Sequence, residues 1–443
     1  MDKGKHPKTY PSPVRSWAVV VLLLLAYIMS YVDRSIFGIL LDPIKADFHF
    51  SDLQMGLLGG IAFAVLYGTM GIPLGWLADR YSRRNIVILG VAIWSLATAA
   101  TGLARGFLSL FFSRMMTGAG EATLSPCAMS MISDMFPKHE RGRAIAVYSS
   151  AISIGIGLGS LAIAALIKFS HGLDFTEMAA YGIDKPWRFV FVVISLPGLM
   201  IALLFLLVRE PKRHGGHSKA ALVDFANVPA HIFKHRAAFF GIFGLGCIMS
   251  ICTNYGYTWN PAYYTRTFNW PVSEYLKYTG LSILAIGPLS MFAAGYLIDM
   301  LTKKGRKDAP IVVMKIGLAI IIPVFIIYPL MPTYLSAFIV FQFSTFGFTM
   351  ATAAGPAALL AISPAHMKAQ IMAYYYMVIS LVGLFIGPLV VGFLNDKIFH
   401  DPNMIAKSLL YVALALIIPT IYFLIRSAKP FAEKVEALEG GEV

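Results

Sequence analysis

Long apolar stretches recur along the chain, and short polar segments separate them. An α-helix rises 1.5 Å per residue, so about 20 apolar residues cross the roughly 30 Å of hydrocarbon in a bilayer. Such stretches lie near residues 17–41, 53–77, 86–103, 107–131, 144–167 and 188–208, and then near 237–257, 276–299, 311–331, 334–362, 368–394 and 408–425. The pattern predicts an all-α membrane protein with twelve transmembrane helices.

One polar segment is much longer than the others and divides the predicted helices into two sets of six. It covers residues 209–236 and is rich in basic residues and histidine. We interpret it as a cytoplasmic linker between an N-terminal six-helix bundle, residues 1–208, and a C-terminal bundle with its tail, residues 237–443. From Asp224 to Arg236 apolar and polar residues alternate at helical spacing, which predicts an amphipathic surface helix.

The composition changes the picture through charge. Hydrophobic residues make up 58% of the chain and charged residues only 13%, against roughly a quarter in soluble domains. A net charge of +13 would suit a nucleic-acid partner, but most of the 36 Lys and Arg residues fall on one side of the predicted helices. That bias is the positive-inside rule. We therefore expect a multi-pass protein of the cell (inner) membrane, with both termini cytoplasmic and no nucleic-acid partner.

Two cytoplasmic corners of this topology are repeated in the sequence. The corners after helices two and eight share a glycine, an acidic residue and two basic residues at identical spacing, in Gly75-x3-Asp79-x3-Arg83-Arg84 and Gly295-x3-Asp299-x3-Lys303-Lys304. The corners after helices four and ten match as well, Pro137 and Tyr148 with Pro364 and Tyr375. Many transporters with this number of helices are two parallel repeats. The repetition predicts two pseudo-symmetric six-helix bundles.

The segment Gly75-Trp-Leu-Ala-Asp79-Arg80-Tyr-Ser-Arg83-Arg84 resembles the signature of the major facilitator superfamily that follows the second helix. A cluster of positive-inside charge is the alternative interpretation, but a glycine and an acidic residue at fixed spacing go beyond a charge bias. The resemblance implies the major facilitator fold and a gate in which the acidic residue and its basic partners latch the bundles on the cytoplasmic side. The implied gating residues are Gly75, Asp79, Arg80, Arg83, Arg84, Arg141 and Asp299.

Within that superfamily, several stretches between residues 27 and 210 are similar to the spinster family of lipid and lysolipid transporters. They are Tyr31-Val-Asp33-Arg34, Leu41-Asp42-Pro43-Ile44-Lys45, Gly118-Ala-Gly120-Glu121-Ala122 and Asp134-Met-Phe-Pro137. The similarity implies an amphiphilic substrate, such as a lysolipid or a sphingolipid-like molecule. Helix five carries Gly155, Gly157 and Gly159 but lacks the Gly-Pro pair of the drug antiporters, which argues against a multidrug exporter.

Four charged residues lie well inside the predicted helices: Asp33, Arg34, Arg114 and Glu121. Each costs several kcal/mol in a bilayer unless it is paired or hydrated. Residues three, four and seven apart share a helix face, which gives one polar stripe in each helix, Tyr27, Ser30 and Arg34 in helix one and Arg114, Thr117, Glu121 and Ser125 in helix four. We expect both stripes to face a hydrated cavity.

Depth in the membrane predicts how these charges pair. If helix one runs outward and helix four inward, Asp33 lies near Arg114, and Arg34 near Glu121. One interpretation is an ion-pair cluster that only fixes helix packing. The other is proton coupling, since a carboxylate that loses its arginine partner in a desolvated cavity takes up a proton. We assign Asp33, Arg34, Arg114 and Glu121 to proton coupling on the second interpretation.

Polar and aromatic side chains on cavity-facing helices are the candidates for substrate binding. They are Tyr27, Ser30, Tyr31 and Thr117 in the first half, and Asn254, Tyr257, Gln342, Thr345, Thr349, Tyr376 and Ser380 in the second. A cavity with charge on one wall and hydroxyl and apolar groups on the other suits an amphiphile with an anionic head.

These observations predict a proton-coupled secondary transporter of an amphiphilic or organic anionic solute, working by alternating access. A proton-independent facilitator of a small organic solute and a multidrug exporter are the alternatives. An enzyme is excluded because HExxH and GxSxG motifs and a soluble catalytic domain are lacking. No histidine lies in a predicted membrane span, so we expect no metal site, and no cofactor. The expected partners are the solute, protons and membrane lipids, and the protein is expected to be a monomer.

Overall fold

The structure is a computed structural model of the 443-residue chain. It describes residues 10–137, 140–213, 220–364 and 367–439. The α-helices in these ranges are α1 Pro13–Ile39, α2 Leu41–Phe48, α3 Asp52–Gly59, α4 Ile61–Arg80, α5 Arg83–Gly102, α6 Phe107–Glu121, α7 Leu124–Met135, α8 Arg141–Ser149, α9 Ala151–Ser170, α10 Pro186–Phe205, α11 Ala220–Lys234, α12 Arg236–Phe268, α13 Val272–Lys303, α14 Ala309–Ile327, α15 Tyr334–Ile362, α16 Lys368–Phe393, α17 Ile405–Arg426 and α18 Ala428–Glu439. A short π-helix, Leu394–Phe399, and three 3-10 turns, Met178–Tyr181, Tyr328–Leu330 and Pro402–Met404, complete the secondary structure of the same ranges.

The predicted membrane spans are recovered in the described residues, eleven of them as segments long enough to cross a membrane and one as two shorter helices. Within the described ranges, eleven helical segments are long and apolar enough to cross a membrane. The remaining predicted span is the fourth, near residues 107–131. It consists of α6 and α7, which have 15 and 12 residues and are separated by a turn at Ala122 and Thr123. These eleven segments together with the α6–α7 pair agree with the twelve spans predicted, and the all-α membrane fold is confirmed.

Contacts between α-carbons divide the chain into two compact units. The first unit contains residues 1–34, 65–159 and 169–218, and the second contains residues 35–64, 160–168 and 219–443. The second unit therefore includes the end of the first span, the start of the second and a short piece of the fifth. The predicted bundle boundaries at 208 and 237 follow the sequence, whereas these units follow packing, so the boundaries stay a prediction.

Polar residues fix the ends of the helices that flank the polar corners, namely the end of α2 and the starts of α3 and α5. The Ser51 side chain accepts a hydrogen bond from the Gln54 backbone N–H and the Gln54 side chain accepts one from the Ser51 N–H, a capping box that starts α3. Ser82 caps α5 by accepting from the Asn85 N–H. His49 ends α2 in the left-handed region, with φ of 55°. These caps fix where the polar corners lie relative to the spans.

The first unit packs around α5, which contacts both α6 and α10. Trp94 of α5 is fully buried in its core. A Cβ at Gly120 would lie 2.7 Å from the Gly90 carbonyl oxygen and 2.8 Å from the Trp94 backbone nitrogen. Only a glycine permits this approach, because the neighbouring atoms belong to backbone that cannot move aside. The close contact holds the end of α6, and thus Glu121, against α5.

The repeated corners have matching interiors. Tyr148, in α8, and Tyr375, in α16, are the pair that the sequence repeat aligned, and each is 1% exposed. The hydroxyl groups of Tyr148 and Ser125 are hydrogen-bonded at 3.2 Å, and the Tyr375 ring faces Gly246. At equivalent positions of the repeat, a tyrosine is therefore buried in each of the two units.

The predicted linker helix is present as α11, Ala220–Lys234, with Pro229 inside it. Val228 is fully buried and Ile232 is 7% exposed, whereas Phe233 is 62% exposed. The helix therefore has a buried and an exposed face, although Phe233 lies on the exposed one. Residues 214–219 of the predicted linker lie outside the described ranges.

Candidate functional site

The central feature of the first unit is an ion pair between α1 and α6. Arg34 donates from Nε to Glu121 Oε2 at 2.5 Å, and the Ser30 hydroxyl donates to the same oxygen at 2.8 Å. The Glu121 side chain is fully buried, while the Arg34 side chain is 24% exposed. The depth argument from the sequence expected this meeting of Arg34 and Glu121. The anion of the pair, Glu121, is thus fully buried, whereas part of the side chain of its cation, Arg34, is accessible.

Aromatic rings lie beside the guanidinium group of Arg34. The guanidinium carbon lies 4.3 Å from the ring centroid of Tyr67 and 5.2 Å from that of Tyr31. Tyr27 packs edge-on against Tyr31 and stacks on Tyr148, with centroids 4.7 Å apart. An arginine over aromatic faces keeps its charge stabilised after some of its water has been removed. The rings form an apolar and weakly polar wall around a single cation.

Asp33 occupies a different environment from its neighbour Arg34. It is 1% exposed, and its Oδ1 is buried with no hydrogen-bond partner in the described structure. Arg114, 3% exposed, reaches it through the backbone, with Nη1 3.5 Å from the Asp33 carbonyl oxygen. Glu121 Oε1 is a second buried carboxyl oxygen with no hydrogen-bond partner among the described residues. The four charges predicted from sequence are therefore gathered in one buried cluster.

The local sequence explains why these side chains meet. Glu121 is the last residue of α6, directly before the turn that interrupts the fourth span. On the other side, α9 approaches α1 through small residues: a Cβ at Gly155 would lie 2.9 Å from Tyr31 Cβ, and one at Gly159 would lie 2.7 Å from a Val32 methyl group. Gly155 and Gly159 of α9, in the fifth span, thus allow α1 to pack closely beside the cluster.

The remaining predicted residues of the first unit divide into two kinds. Ser30 is used by Glu121, and the Thr117 hydroxyl donates to the Ser113 carbonyl oxygen of its own helix at 3.0 Å. Tyr27 and Tyr31 are half-buried. The structure therefore brings Ser30, Tyr27 and Tyr31 to the charge cluster, and Thr117 contributes a satisfied hydroxyl.

The predicted substrate-side residues of the second half all lie in the second unit. Two of them bond within their own helices, Asn254 to the Ser250 carbonyl oxygen at 2.8 Å and Thr349 to the Thr345 carbonyl oxygen at 2.9 Å. The side chains of Tyr257 and Tyr376 are 38% and 45% exposed. Gln342, Thr345 and Ser380 are half-buried. These positions remain candidates.

Arg83, at the start of α5, is the most heavily bonded residue of the predicted gate. It is 1% exposed and donates from Nε to Glu210 at 2.8 Å and from Nη1 to Asp134 at 2.5 Å. Ser130 accepts from the same Nη1, and the Pro211 carbonyl oxygen accepts from Nη2, each at 2.9 Å. One buried arginine thus joins the ends of the third and fourth spans to the segment after the sixth.

Glu210 receives several donors in return. The Arg84 backbone N–H and the Ser82 hydroxyl donate to its Oε2 at 2.8 and 2.9 Å, beside the bond from Arg83 to Oε1. Partial burial of Glu210 raises the pKa of its carboxyl group, but the bonds from Arg84, Arg83 and Ser82 outweigh burial, and the pKa lies below its usual value. The residue is therefore a firmly ionised anchor for Arg83.

The other predicted gating residues have simpler surroundings. Arg80 lies over the Trp76 ring at 3.9 Å, Arg84 donates to the Val208 carbonyl oxygen, and Arg141 donates to the Phe136 carbonyl oxygen. A Cβ at Gly75 would meet no atom within 4 Å, and Asp299 is exposed. The side chain of Asp79 lies outside the described part of the structure.

Sequence reasoning missed four contributors to these two clusters. Tyr67 lies under the Arg34 guanidinium, Thr98 is a neighbour of Asp33, and Asp134 and Glu210 hold Arg83. Asp134 stood in a recognised motif but received no role, and Glu210 lies two residues after the end of the sixth predicted span. The available signal was the presence of these two carboxylates at helix ends on the same side as the Arg83 corner.

A comparison with known families decides the affiliation. The sequence profile described as Major Facilitator Superfamily matches residues 23–388. The chain belongs to this superfamily. It is therefore a multi-pass membrane transporter and not an enzyme, which confirms the affiliation expected from the Gly75 to Arg84 segment.

Individual members of the superfamily resemble the chain to different extents. An MFS-type efflux pump of Mycolicibacterium smegmatis is 26% identical and is matched over 94% of both chains. A probable L-galactonate transporter of Escherichia coli is 28% identical over 67% of this chain and 64% of that protein. The human protein spinster homolog 1 is 33% identical over 48% of this chain, and the match covers 38% of that protein. The similarity to spinster proteins is thus clear over about half of the chain.

A solved structure resembles the whole chain. It is the crystal structure of a bacterial homolog to the human lysosomal transporter Spinster, in an inward-facing and unoccupied conformation. The TM-score is 0.80 at 23% sequence identity, and the match covers 97% of this chain and 99% of the other. The likeness confirms the major facilitator fold.

Proposed function

We propose that this superfamily member is a proton-coupled transporter that moves an amphiphilic or organic anionic solute by alternating access. The Arg34–Glu121 ion pair is the observation that carries the proposal, because it joins a sealed carboxylate to a cation with an open face. A pair that served packing alone would gain nothing from leaving one side of Arg34 accessible.

Proton binding is assigned to Glu121 and Asp33. Burial favours the neutral form of a carboxyl group whose oxygens lack donors, and both residues have one buried oxygen without a hydrogen-bond partner in the described structure. Glu121 is held ionised by Arg34 and Ser30 in the arrangement described here. When Arg34 turns to another anion, Glu121 loses that stabilisation and takes a proton. Proton uptake and solute binding are then linked through one arginine.

The anionic group of the solute is expected to bind Arg34. The guanidinium can form two parallel hydrogen bonds to a carboxylate or phosphate, and the rings of Tyr31 and Tyr67 provide apolar contact beside it. The L-galactonate transporter handles a carboxylate, and the spinster proteins are the other set of relatives with a clear match. A lysolipid or sphingolipid-like solute fits an aromatic wall, whereas a sugar acid fits the polar side chains. An anionic head group is common to a sugar acid and an anionic lysolipid.

The Arg83 cluster is proposed as the gate on the side that the charge bias assigns to the cytoplasm. Arg83 is buried among Glu210, Asp134 and Ser130, and it joins the third span, the fourth span and the segment after the sixth. These segments must stay together while the cytoplasmic side is closed, or move as one body when it opens. Loss of these bonds changes the balance between conformations, since a ligand or contact shifts an equilibrium only through its different affinity for the two states.

Export of a drug-like compound is the second candidate. The efflux pump of M. smegmatis matches nearly the full length of this chain, which favours this candidate. The fifth span opposes it, because its glycines pack on α1 and it lacks the Gly-Pro pair of drug antiporters. Transport of ethidium by purified protein would support the candidate.

Proteoliposomes with an imposed pH gradient test the proposal. L-galactonate and lysophosphatidylglycerol are supplied separately, and solute uptake and internal pH are followed together. We expect one of these anions to accumulate against its concentration gradient and to move protons with it. Uptake that only equilibrates the solute, with no response to the pH gradient, contradicts proton coupling and favours the proton-independent facilitator. Glu177→Gln, an exposed change outside the spans, is the matched control.

A further inference from the structure

The second unit contains another ion cluster, centred on Arg266 at the end of α12. Arg266 donates from Nη2 to Asp42 Oδ1 at 2.6 Å and from Nη1 to Asp52 Oδ2 at 2.7 Å. Further bonds join Nε to Asp42 at 3.0 Å and Nη2 to Asp52 at 3.0 Å. The planar guanidinium thus bridges two carboxylates that lie on either side of the loop between the first and second spans. Asp42 stands in one of the spinster-like motifs, to which the transport cluster gives no role.

Asp52 is the most deeply buried member of this cluster. Its side chain is fully buried, and it accepts from Lys45 Nζ at 2.6 Å and from Asn395 Nδ2 at 2.7 Å in addition to Arg266. Asn395, itself fully buried, is bonded to the Ser408 hydroxyl at 2.5 Å. The chain of bonds therefore runs from α12 through the start of the second span to the end of the eleventh and the start of the twelfth. Every oxygen of Asp52 has a donor.

A second carboxylate caps the start of the second span. Asp396, in the π-helix Leu394–Phe399, accepts from the backbone N–H groups of Asp52 at 3.2 Å and of Leu53 at 2.5 Å. These N–H groups lie at the first turn of α3 and have no partner inside the helix. A negative charge here is also favoured by the helix dipole. The eleventh span thus supplies a cap to the second.

Glycines allow these helices to approach closely. A Cβ at Gly56 would lie 2.7 Å from the Pro388 carbonyl oxygen, and a Cβ at Gly60 or Gly392 would lie still closer to the carbonyl oxygen of Leu384 or Asp52. The contacts are backbone to backbone, so a side chain at these positions forces α3 and α16 apart. Ions and close packing act on the same junction.

We propose that Asp42, Lys45, Asp52, Arg266 and Asp396 form a latch that holds closed the side of the transporter predicted to be external. The inference rests on the proposed alternating access, because only then must this junction open. The charge bias assigns the loop between spans one and two to the external side. In a two-bundle transporter, spans one and two belong to one bundle and spans seven and eleven to the other. A closed outer side requires contacts of this kind.

The charged character of the latch suits repeated opening. A buried ion pair gives up hydration in exchange for direct attraction, so the two states differ little in free energy when both charges become hydrated on separation. An apolar junction of the same area would instead expose its whole surface to water, at about 25 cal/mol per Å². Charged groups that become hydrated when the junction opens therefore form a contact that is specific in the closed state and needs little free energy to separate.

Distances between spin labels measure the latch without any solute. Labels are placed at Ala46 of α2 and Lys397 of the π-helix, both exposed, after Cys127, Cys247 and Cys252 are replaced by alanine. Arg266→Gln removes the guanidinium that bridges the two carboxylates, and Asp42→Asn weakens the bridge at a half-exposed position. We expect both variants to gain a longer-distance population, with the ratio of open to closed molecules raised about tenfold in Arg266→Gln, as for loss of a charged hydrogen bond.

Arg306→Gln is the matched control, because Arg306 forms a comparable but exposed pair with Asp308. Its distance distribution should equal that of the wild type. Unchanged distributions in both Arg266→Gln and Asp42→Asn overturn the latch, and if Arg266→Gln does not fold, Asp42→Asn alone decides. Failure of the proposed function is separate: longer distances in the variants, together with solute flux that ignores a pH gradient, leave the latch standing and remove proton coupling.

Discussion

Arg34 Nε lies 2.5 Å from Glu121 Oε2, although the two residues are 87 positions apart in the sequence. The contact joins the first span to the point where the fourth is interrupted, and it pairs a partly exposed cation with a fully buried anion. The accessible part of the guanidinium is where we expect a solute anion to bind, and a buried carboxylate that loses its cation binds a proton. The transport proposal follows from this difference in exposure.

Arg34→Gln should lower the stability of the protein and abolish tight binding of the solute anion. The variant leaves Glu121 without its charged donor, a loss of about 1.5–3 kcal/mol for a hydrogen bond to a charged group. Thermal unfolding in detergent measures the loss. The double variant Arg34→Gln with Glu121→Gln should recover part of it, because the second change removes the stranded carboxylate. Additive losses in the double variant would contradict the pairing.

The sequence predicted the spans and the four membrane charges because each rests on composition within a single helix. Runs of about 20 apolar residues and a charge inside such a run are local features. The meeting of Arg34 with Glu121 also followed, since depth along two antiparallel helices is simple arithmetic. The turn at Ala122 was not predicted, although Gly118 and Gly120 precede it and Pro126 follows it, because glycine and proline are also common inside transmembrane helices.

Several other long-range partners could not be predicted. Glu210 reaches Arg83 and Asp396 reaches the start of α3 only through the packing of whole helices, which no periodicity reveals. Tyr67 was missed because an aromatic residue in an apolar helix is an ordinary packing residue until a cation lies over it. The proposed outer latch belongs to the same class, since its five charges come from four separate segments.

Arg83→Ala should destabilise the protein and shift its conformational balance. The substitution leaves Asp134 and Glu210 close together without their cation, and breaking a buried ion pair costs about 3–5 kcal/mol. Asp79→Asn should act in the same direction if Asp79 belongs to the gate. Distances between labels on the predicted cytoplasmic loops should show a larger open population in both variants. Unchanged distances in both would remove the gating role.

Acid should weaken the Arg83 cluster through Glu210. The pKa of Glu210 is lower in the folded protein than its usual value, so its contribution is fully present above the unfolded pKa of about 4.3. The contribution disappears as the pH falls through the lower, folded pKa. Melting temperatures measured below about pH 5 should therefore fall more steeply in the wild type than in Glu210→Gln. Parallel pH profiles would show that Glu210 adds no pH-dependent stability.

Gly120→Ala should reduce the folded yield, although alanine is the better helix former. Its Cβ would meet the backbone of Gly90 and Trp94, and overpacking of this kind costs about 1–3 kcal/mol. Gly142→Ala is the control, since a Cβ there meets no atom within 4 Å and should stabilise α8 by about 0.4–1 kcal/mol. Size-exclusion profiles and unfolding temperatures of the two variants should move in opposite directions. Equal behaviour would contradict the close contact of α5 with α6.

The central claim is that Glu121 carries the proton, with Asp33 as the second site. Accumulation of the solute in proteoliposomes under an imposed pH gradient, compared between wild type and Glu121→Gln, tests it most directly. Glutamine keeps the hydrogen-bonding shape but cannot release or bind a proton. We expect Glu121→Gln to exchange solute across the membrane and to lose accumulation driven by the pH gradient. A variant that folds normally and concentrates solute as the wild type does would contradict the claim.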